Sequence, residues 1–511
     1  MSKQLFKSTS LVSVITLLSR ILGFMRENVF AIVFGAGAEM DAFVIAFRIP
    51  NFLRKIFAEG AFSQAFMPVL KEVKVQRSDA DLKNLIADVS GTLGFSLLIV
   101  SVIGVLGSAV LATIFAPSYL HQPYKFDLLD HLLKIMFPYI FFISLTGLAG
   151  SIQNAHRRYS VPAATPLILS LCMGWAAVTL TPYFPNFPIE AVAWGVMLAG
   201  VLQLLVQIPF LWRLKMLVKP RWAWKNPDVR RIMKMMVPAL FGVSVAQIGM
   251  LVDSMYATFL KTGSVSWLYY ADRLMQFPLG VFGIALATVV MPHLSEQVAK
   301  KDEVEFKRAL DWSLKLVVLV ASPCAVGLAV LAGPILVTLF QYGAFNATDM
   351  YMTQESLWAF SVGLFFFIMV KIVVSAFYSR QDMKTPVKVG MMAVGINVVF
   401  NTILIFPLQH VGLALSTSLA AVFNSLVLLV ILRRRGLLNF RAGWGKVLAG
   451  SILGNLAMMG AVLWGRGHLT TWMTWGVWDR VWHLAYIIVL GIVTYFAVLL
   501  ICGIRRRDFV L

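Results

Sequence analysis

Apolar runs about as long as a bilayer is thick, split by short polar or Pro/Gly-rich joints, follow one another from the start of the chain to its end. A spanning helix needs about 20 largely apolar residues. Fourteen segments reach that length: 8–34, 40–69, 83–115, 128–154, 160–182, 187–213, 232–260, 265–297, 306–340, 352–378, 384–407, 411–432, 443–465 and 480–504. The two-residue alternation of a barrel strand is absent. The pattern predicts an all-α polytopic membrane protein of about 14 transmembrane helices. The first run follows Lys3 and Lys7 as a signal peptide would, but no small-x-small cleavage site comes after it and helical sequence continues past Arg20 to about Phe34. It is expected to remain as the first span.

Composition agrees with this reading. The 511 residues are 59% hydrophobic and 13% charged, with a mean hydropathy of +0.80, too apolar for a chain whose whole surface must stay wet. Lys and Arg gather at alternate joints: Lys71/Lys74/Arg77, Arg157/Arg158, Arg213 to Lys234, Lys300/Lys301/Lys307/Arg308, Arg380/Lys384/Lys388, Arg433/Arg434/Arg435 and the tail Arg505/Arg506/Arg507. The opposite joints, such as FGAGAEMD and FPLQHVG, are nearly free of them. The positive-inside rule then predicts an even number of spans with both termini cytoplasmic. The net charge of +20 follows from that rule and from anionic lipid head groups. Basic residues spread over every inner joint do not form a nucleic-acid patch. Cys172, Cys324 and Cys502 lie in apolar stretches without paired spacing, which indicates neither a disulfide framework nor a metal site.

The chain also repeats itself. FMPVLKEV (Phe66–Val73) closes the second segment and VMPHLSEQV (Val290–Val298) the eighth, while RRYSVPAATP (Arg157–Pro166) is echoed by YSRQDMKTP (Tyr378–Pro386). Two six-helix lobes are therefore expected at 1–213 and 232–436, joined by a basic linker at 214–231, with two extra helices and a basic tail in 437–511.

No Walker A loop, H-E-x-x-H, C-x-x-C or nucleophile elbow occurs, and Gly35–Gly37 reads as a plain turn. An ATP-driven pump or a hydrolase loses support. The candidate chemistry is intramembrane charge. A cation at a helix centre costs about 2.5–3.5 kcal/mol, yet Arg20, Arg26, Arg48 and Arg54 fall inside the first two segments. Glu27, Asp41 and Glu59 could neutralise some of them as buried pairs, Lys55 with Glu59 in particular. Cations still outnumber carboxylates there, and Arg is the side chain that grips phosphate with a planar fork. The members of each Arg pair are six apart, so a bend at Gly23 or Pro50 is expected to bring them together. The second half adds Asp272, Arg273 and Lys371. Asp253, Asn397, Asn401 and Thr417 form a separate polar set, either oxygen ligands for Na⁺ or interhelical hydrogen bonds.

The stretches SRILGFMRE, GAEMDAFVIAFRIPNFLRKIFAEGAFSQAFMPVL, GSVSWLYYADRLMQFP and FYSRQDMKTPVKVG resemble the MurJ (MviN) family of peptidoglycan lipid II flippases, within the multidrug/oligosaccharidyl-lipid/polysaccharide exporter superfamily. The resemblance covers nearly the whole chain. It implies two six-helix lobes around a central cavity, a C-terminal helix pair that forms a groove for the polyprenyl tail, and a non-enzymatic flippase of the bacterial inner membrane. Such a protein carries lipid II from the cytoplasmic to the periplasmic leaflet by alternating access, among membrane lipids and cell-wall synthesis proteins, with no cofactor beyond a candidate coupling Na⁺. By motif, Arg20, Arg26, Arg54 and Arg273 match the family's cavity arginines, Asp41 an essential carboxylate and Lys371 a cavity lysine. Arg48, Glu59 and Asp272 join them as candidate substrate-facing residues. The set Asp253, Asn397, Asn401 and Thr417 looks like the family's sodium site, to which the carbonyl near Leu413 contributes, and Gln276 stands where some relatives carry Glu. A flippase for another polyprenyl-diphosphate oligosaccharide shares this chemistry. A MATE-like drug exporter, with organic-cation substrates, fits four arginines poorly.

Overall fold

The computed structural model describes residues 3–55, 61–440 and 442–505. Glu59, Arg506 and Arg507 lie outside the described residues. Among those described there are helices and turns but no strand. The helices are α1 (Lys3–Phe34), α2 (Ala38–Arg54), α3 (Ala61–Gln76), α4 (Asp79–Leu106), α5 (Ser108–Phe115), α6 (Pro123–Met136), α7 (Tyr139–Ala155), α8 (Ser160–Thr179), α9 (Glu190–Arg213) and α10 (Pro227–Thr258). They continue as α11 (Ser264–Pro278), α12 (Ile284–Ala299), α13 (Glu303–Val330), α14 (Ala332–Leu339), α15 (Ala347–Ser379), α16 (Lys384–Arg434), α17 (Trp444–Arg466), α18 (Leu469–Thr474) and α19 (Val477–Ile501).

Each expected span has its helical counterpart. The segment 83–115 is α4 and α5 divided at Gly107, and 265–297 is α11 and α12 joined by a π-helical turn, Leu279–Gly283, directly after Pro278. The expected spans 384–407 and 411–432 are the two arms of α16, separated where Gln409 leaves helical geometry (φ 49°, ψ −128°) shortly after Pro407. The arms fold back so tightly that a Cβ on Gly412 would lie 2.3 Å from the Leu404 carbonyl oxygen, which only glycine permits. Among the described residues, ten helices are long and apolar enough to cross a membrane, α16 counting as one of them.

The chain forms two compact units, Met1–Val265 and Ser266–Leu511. In the first, α1 packs on α8, α8 and α7 on α9, α2 on α6, and α3 along α10. Helix α10, which the repeat assigns to the start of the second lobe, thus sits in the first unit. Ion pairs fasten its start: Arg77 to Asp228 at 2.6 Å and Arg231 to Glu72 at 2.9 Å. The linker before it is strapped to α4. Arg221 donates its backbone N–H to the Ala87 carbonyl (2.9 Å) and its Nε to Asp88 (2.6 Å). The backbone of Arg221 crosses Gly91 so closely that a Cβ there would meet it at 2.3 Å. In the second unit α15 packs against α16 and α13, and α13 against α17, which pairs with α19.

The sequence repeat reappears as geometry. Pro68 lies inside α3 and Pro292 inside α12. The same interval that separates these prolines separates Arg157 from Gln381, which follow α7 and α15 with φ of 60° and 61°. A left-handed residue just past a helix end turns the chain sharply, and both halves place it at the same point.

Candidate functional site

Arg20 is exposed on α1 and makes no hydrogen bond or ion pair among the described residues. Six residues on, Arg26 is mostly buried: it forms an ion pair with Glu27, points Nη1 at the Met173 sulfur of α8 (3.7 Å) and lies over the Phe30 ring at 5.7 Å. Glu27 itself is 2% exposed. The expected neutralisation is therefore real at this position. The bend expected at Gly23 does not interrupt the helix, since α1 runs unbroken from Lys3 to Phe34; a Cβ on Gly23 would make ordinary contact with Ser170 Oγ at 3.9 Å.

On α2 the partners are of another kind. Arg48 donates Nη1 to the Met250 carbonyl of α10 at 2.6 Å, and Arg54 donates Nε and Nη2 to Asn51 Oδ1 at 3.1 and 2.8 Å. Lys55 donates to Gln247 Oε1 of α10 at 2.9 Å. These acceptors are neutral. They fix the direction of each cation, and oriented cations are what a binding site for an anion requires. Lys55 with Glu59 cannot be followed, because Glu59 lies outside the described residues.

Asp41, near the start of α2, meets backbone. It is 2% exposed and accepts the backbone N–H of Gly263 at 2.7 Å. Gly263 has φ 97°, a left-handed conformation that suits glycine, so Asp41 fixes the turn between α10 and α11. Lys125, 6% exposed, braces the same turn by donating to Thr262 Oγ1 at 2.7 Å, and Ser118 reaches the Thr258 carbonyl at 2.7 Å. Sequence reading passed over Lys125; its only signal was a lysine in a joint otherwise poor in cations.

In the second unit Asp272, Arg273 and Gln276 share one face of α11. Gln276 donates Nε2 to Asp272 at 2.5 Å, while its Oε1 stands 3.5 Å from Arg273 Nη1. An amide can donate and accept at once, as a carboxylate cannot, so glutamine bridges an acid and a base where glutamate would pair with the base alone. Arg273 also lies 4.7 Å over the Tyr269 ring, and the π-helical turn follows a few residues later, the sort of helix irregularity that gathers at functional sites. Lys371 on α15 is exposed and makes no hydrogen bond or ion pair among the described residues.

The neutral set on α16 comes together across its two arms. Asn401 Nδ2 reaches Asn397 Oδ1 at 3.3 Å, Asn397 Nδ2 is 3.4 Å from Thr417 Oγ1, and Thr417 donates to the Leu413 carbonyl at 3.0 Å. Asn397 and Asn401 are buried. Amide, hydroxyl and carbonyl oxygens are the donors a hard monovalent cation takes, and the set fits Na⁺ on that ground. Asp253 belongs to α10, in the first unit.

A further buried arginine escaped the sequence reading. Arg480, 7% exposed at the start of α19, donates to the carbonyls of Trp472 (2.9 Å), Val337 (3.0 Å) and Met473 (2.9 Å), with Gln341 at 3.4 Å, and lies 5.1 Å over the Tyr342 ring. It rivets the last helix to the end of α14.

The family profile described as Lipid II flippase MurJ matches residues 30–486. A probable lipid II flippase MurJ of Vibrio cholerae serotype O1 is 43% identical, over 99% of this chain and 98% of its own length. The lipid II flippase MurJ of Burkholderia cenocepacia is 38% identical over 99% of both chains. Among solved structures, a lipid II flippase MurJ in an inward closed conformation superposes with a TM-score of 0.80 at 26% identity, covering 96% of this chain and 97% of that one. An inward-facing MATE multidrug resistance transporter shares the fold at 14% identity and a TM-score of 0.65, over 83% of this chain and 97% of its own. With a profile match over most of its length and relatives above 30% identity from end to end, this chain belongs to the lipid II flippase MurJ family.

Proposed function

We propose that this protein carries lipid II, a polyprenyl-diphosphate-linked disaccharide peptide, across the bacterial inner membrane from the cytoplasmic to the periplasmic leaflet by alternating access. The observation that carries the site assignment is the α2 stretch, where Arg48, Arg54 and Lys55 are aimed by neutral oxygens. The diphosphate head cannot cross hydrocarbon unaided, and oriented cations replace its hydration. In the first unit Arg20, Arg26, Arg48 and Arg54 are assigned to this anion, with Asp41 holding the α10–α11 turn. In the second, Arg273 and Lys371 are assigned to the same class of anion, with Asp272 and Gln276 positioning Arg273. The six-helix lobes at 1–213 and 232–436 with a C-terminal helix pair, the cytoplasmic placement of both termini, and an association with cell-wall synthesis proteins belong to the same proposal. Na⁺ at Asn397, Asn401, Thr417 and the Leu413 carbonyl would bias the facing equilibrium through differential affinity.

The test is depletion in living cells that lack other flippases, followed by a leaflet-specific assay of lipid II. Lipid II confined to the cytoplasmic leaflet, with lysis following, is the expected result. Undiminished outward exposure would overturn the proposal.

A further inference from the structure

The second Met-Pro motif carries a residue that the transport reading leaves unused. Where the first repeat has Val69, fully buried, the second has His293. His293 Nε2 on α12 and Trp312 Nε1 on α13 are both enclosed and have no hydrogen-bond partner. They line one cleft of about 100 Å³ together with Val289, Val290, Ala309 and Ser313. Ser313, whose hydroxyl donates to the Ala309 carbonyl at 2.7 Å, bonds neither nitrogen. An indole N–H can only donate, and buried donors are rarely left unmet in folded proteins.

The cleft has a definite depth. His293 lies six residues before the end of α12 and Trp312 nine residues into α13, about 9 and 13 Å from the α12–α13 turn at 1.5 Å per residue. Val289 beside them is 64% exposed, so the cleft opens at the surface of these helices. Head-group oxygens are found at such depths, and clefts between membrane helices select lipids by them. Lys300, Lys301, Lys307 and Arg308 share the turn with Glu296, Asp302, Glu303 and Glu305, and Arg308 precedes Trp312 by one turn. Glu296 is tied to Lys300 at 2.6 Å, and Glu305 is 3.5 Å from Arg308. We infer that His293 and Trp312 donate together to one oxygen of a lipid phosphate in the leaflet that borders the α12–α13 turn. The phosphate belongs either to a phospholipid or to a polyprenyl diphosphate, and the cleft anchors that lipid on the second unit.

The full-length purified protein, equilibrated in turn with phosphatidylglycerol, undecaprenyl diphosphate and diacylglycerol, reports the site by native mass spectrometry. Trp312→Phe with His293→Phe keeps ring bulk and removes both donors. Apparent affinity for at least one phosphate-bearing lipid should fall about tenfold in this double variant, with diacylglycerol retention unchanged. The lipid that responds identifies the source of the phosphate. His293→Gln keeps an N–H donor and should retain most of the binding, which separates loss of the donor from loss of fold. Equal retention of both phosphate-bearing lipids by parent and double variant, as a water-filled cleft would give, overturns the inference. So does a parallel loss of diacylglycerol, or a loss in His293→Gln as large as in His293→Phe. Retention is read without transport, so the result stands independently of the flippase proposal.

Discussion

The α2 stretch from Arg48 to Lys55 and the α16 set from Asn397 to Thr417 are both polar islands in apolar helices, and their chemistry is opposite. On α2, cations meet neutral acceptors: a backbone carbonyl, an asparagine and a glutamine. On α16, the groups are neutral and bond mainly to one another. The first arrangement holds charged groups inside apolar helices, where charge is expensive. The second is built of neutral groups, whose burial costs far less than that of a charge. Removing a group should therefore matter far more on α2 than on α16, with different readouts.

The largest effect is expected at the arginines. Arg26→Ala or Arg54→Ala should abolish complementation while the protein still inserts, and Arg→Lys should restore only part of it, because lysine keeps the charge without the planar fork. Full complementation by Arg26→Ala/Arg54→Ala would remove the contrast between the two islands. Next comes Gln276→Leu, which deprives Asp272 of a donor and Arg273 of its aim. Transport should drop about tenfold, the scale of a lost hydrogen bond to a charged group, with little change in expression.

Smaller again is the α16 set. Melting of the purified parent should rise by about one degree in Na⁺ over K⁺ at equal ionic strength, about 1 kcal/mol for a chain of this size. Asn397→Leu should abolish that difference. Identical melting in the two salts would leave α16 as an interhelical hydrogen-bond cluster.

The smallest effect is a surface control. Burial works against ionisation of Asp382, but hydrogen bonds from Thr385 and Arg435 prevail and hold its carboxyl down to about 2. Its stabilisation is fully present above the unfolded carboxylate range near pH 4 and is lost as pH falls toward 2. Arg435→Ala should lower stability by less than about 1 kcal/mol at pH 7, a deficit that shrinks as the medium is acidified from pH 4.

Much of this architecture is legible in the residues because the bilayer enforces it. Span length, charge asymmetry and the Met-Pro repeat each leave a periodic trace, and even the break inside α16 was announced by FPLQHVG. The candidate residues were legible by type: Arg20, Arg26, Arg54 and Arg273 stand out because charge inside an apolar run is expensive. Their partners were legible only in part. Glu27 was expected among the neutralising carboxylates, whereas the Met250 carbonyl that meets Arg48 has no side-chain signature. The packing of α10 in the first unit was hidden for a related reason, since Arg77, Asp228, Glu72 and Arg231 each read as one more charge in a basic joint.

Arg480 bears on how the chain is made. The carbonyls of Val337 and Gln341 have been synthesised long before Arg480 leaves the ribosome, whereas those of Trp472 and Met473 arrive with it. Half of its cradle thus waits in an earlier segment, and the last hairpin can bury its arginine only by docking there. Assembly of the C-terminal helices becomes a late, templated step, and a chain that stops after Arg466 lacks the plug but keeps the earlier half of the socket.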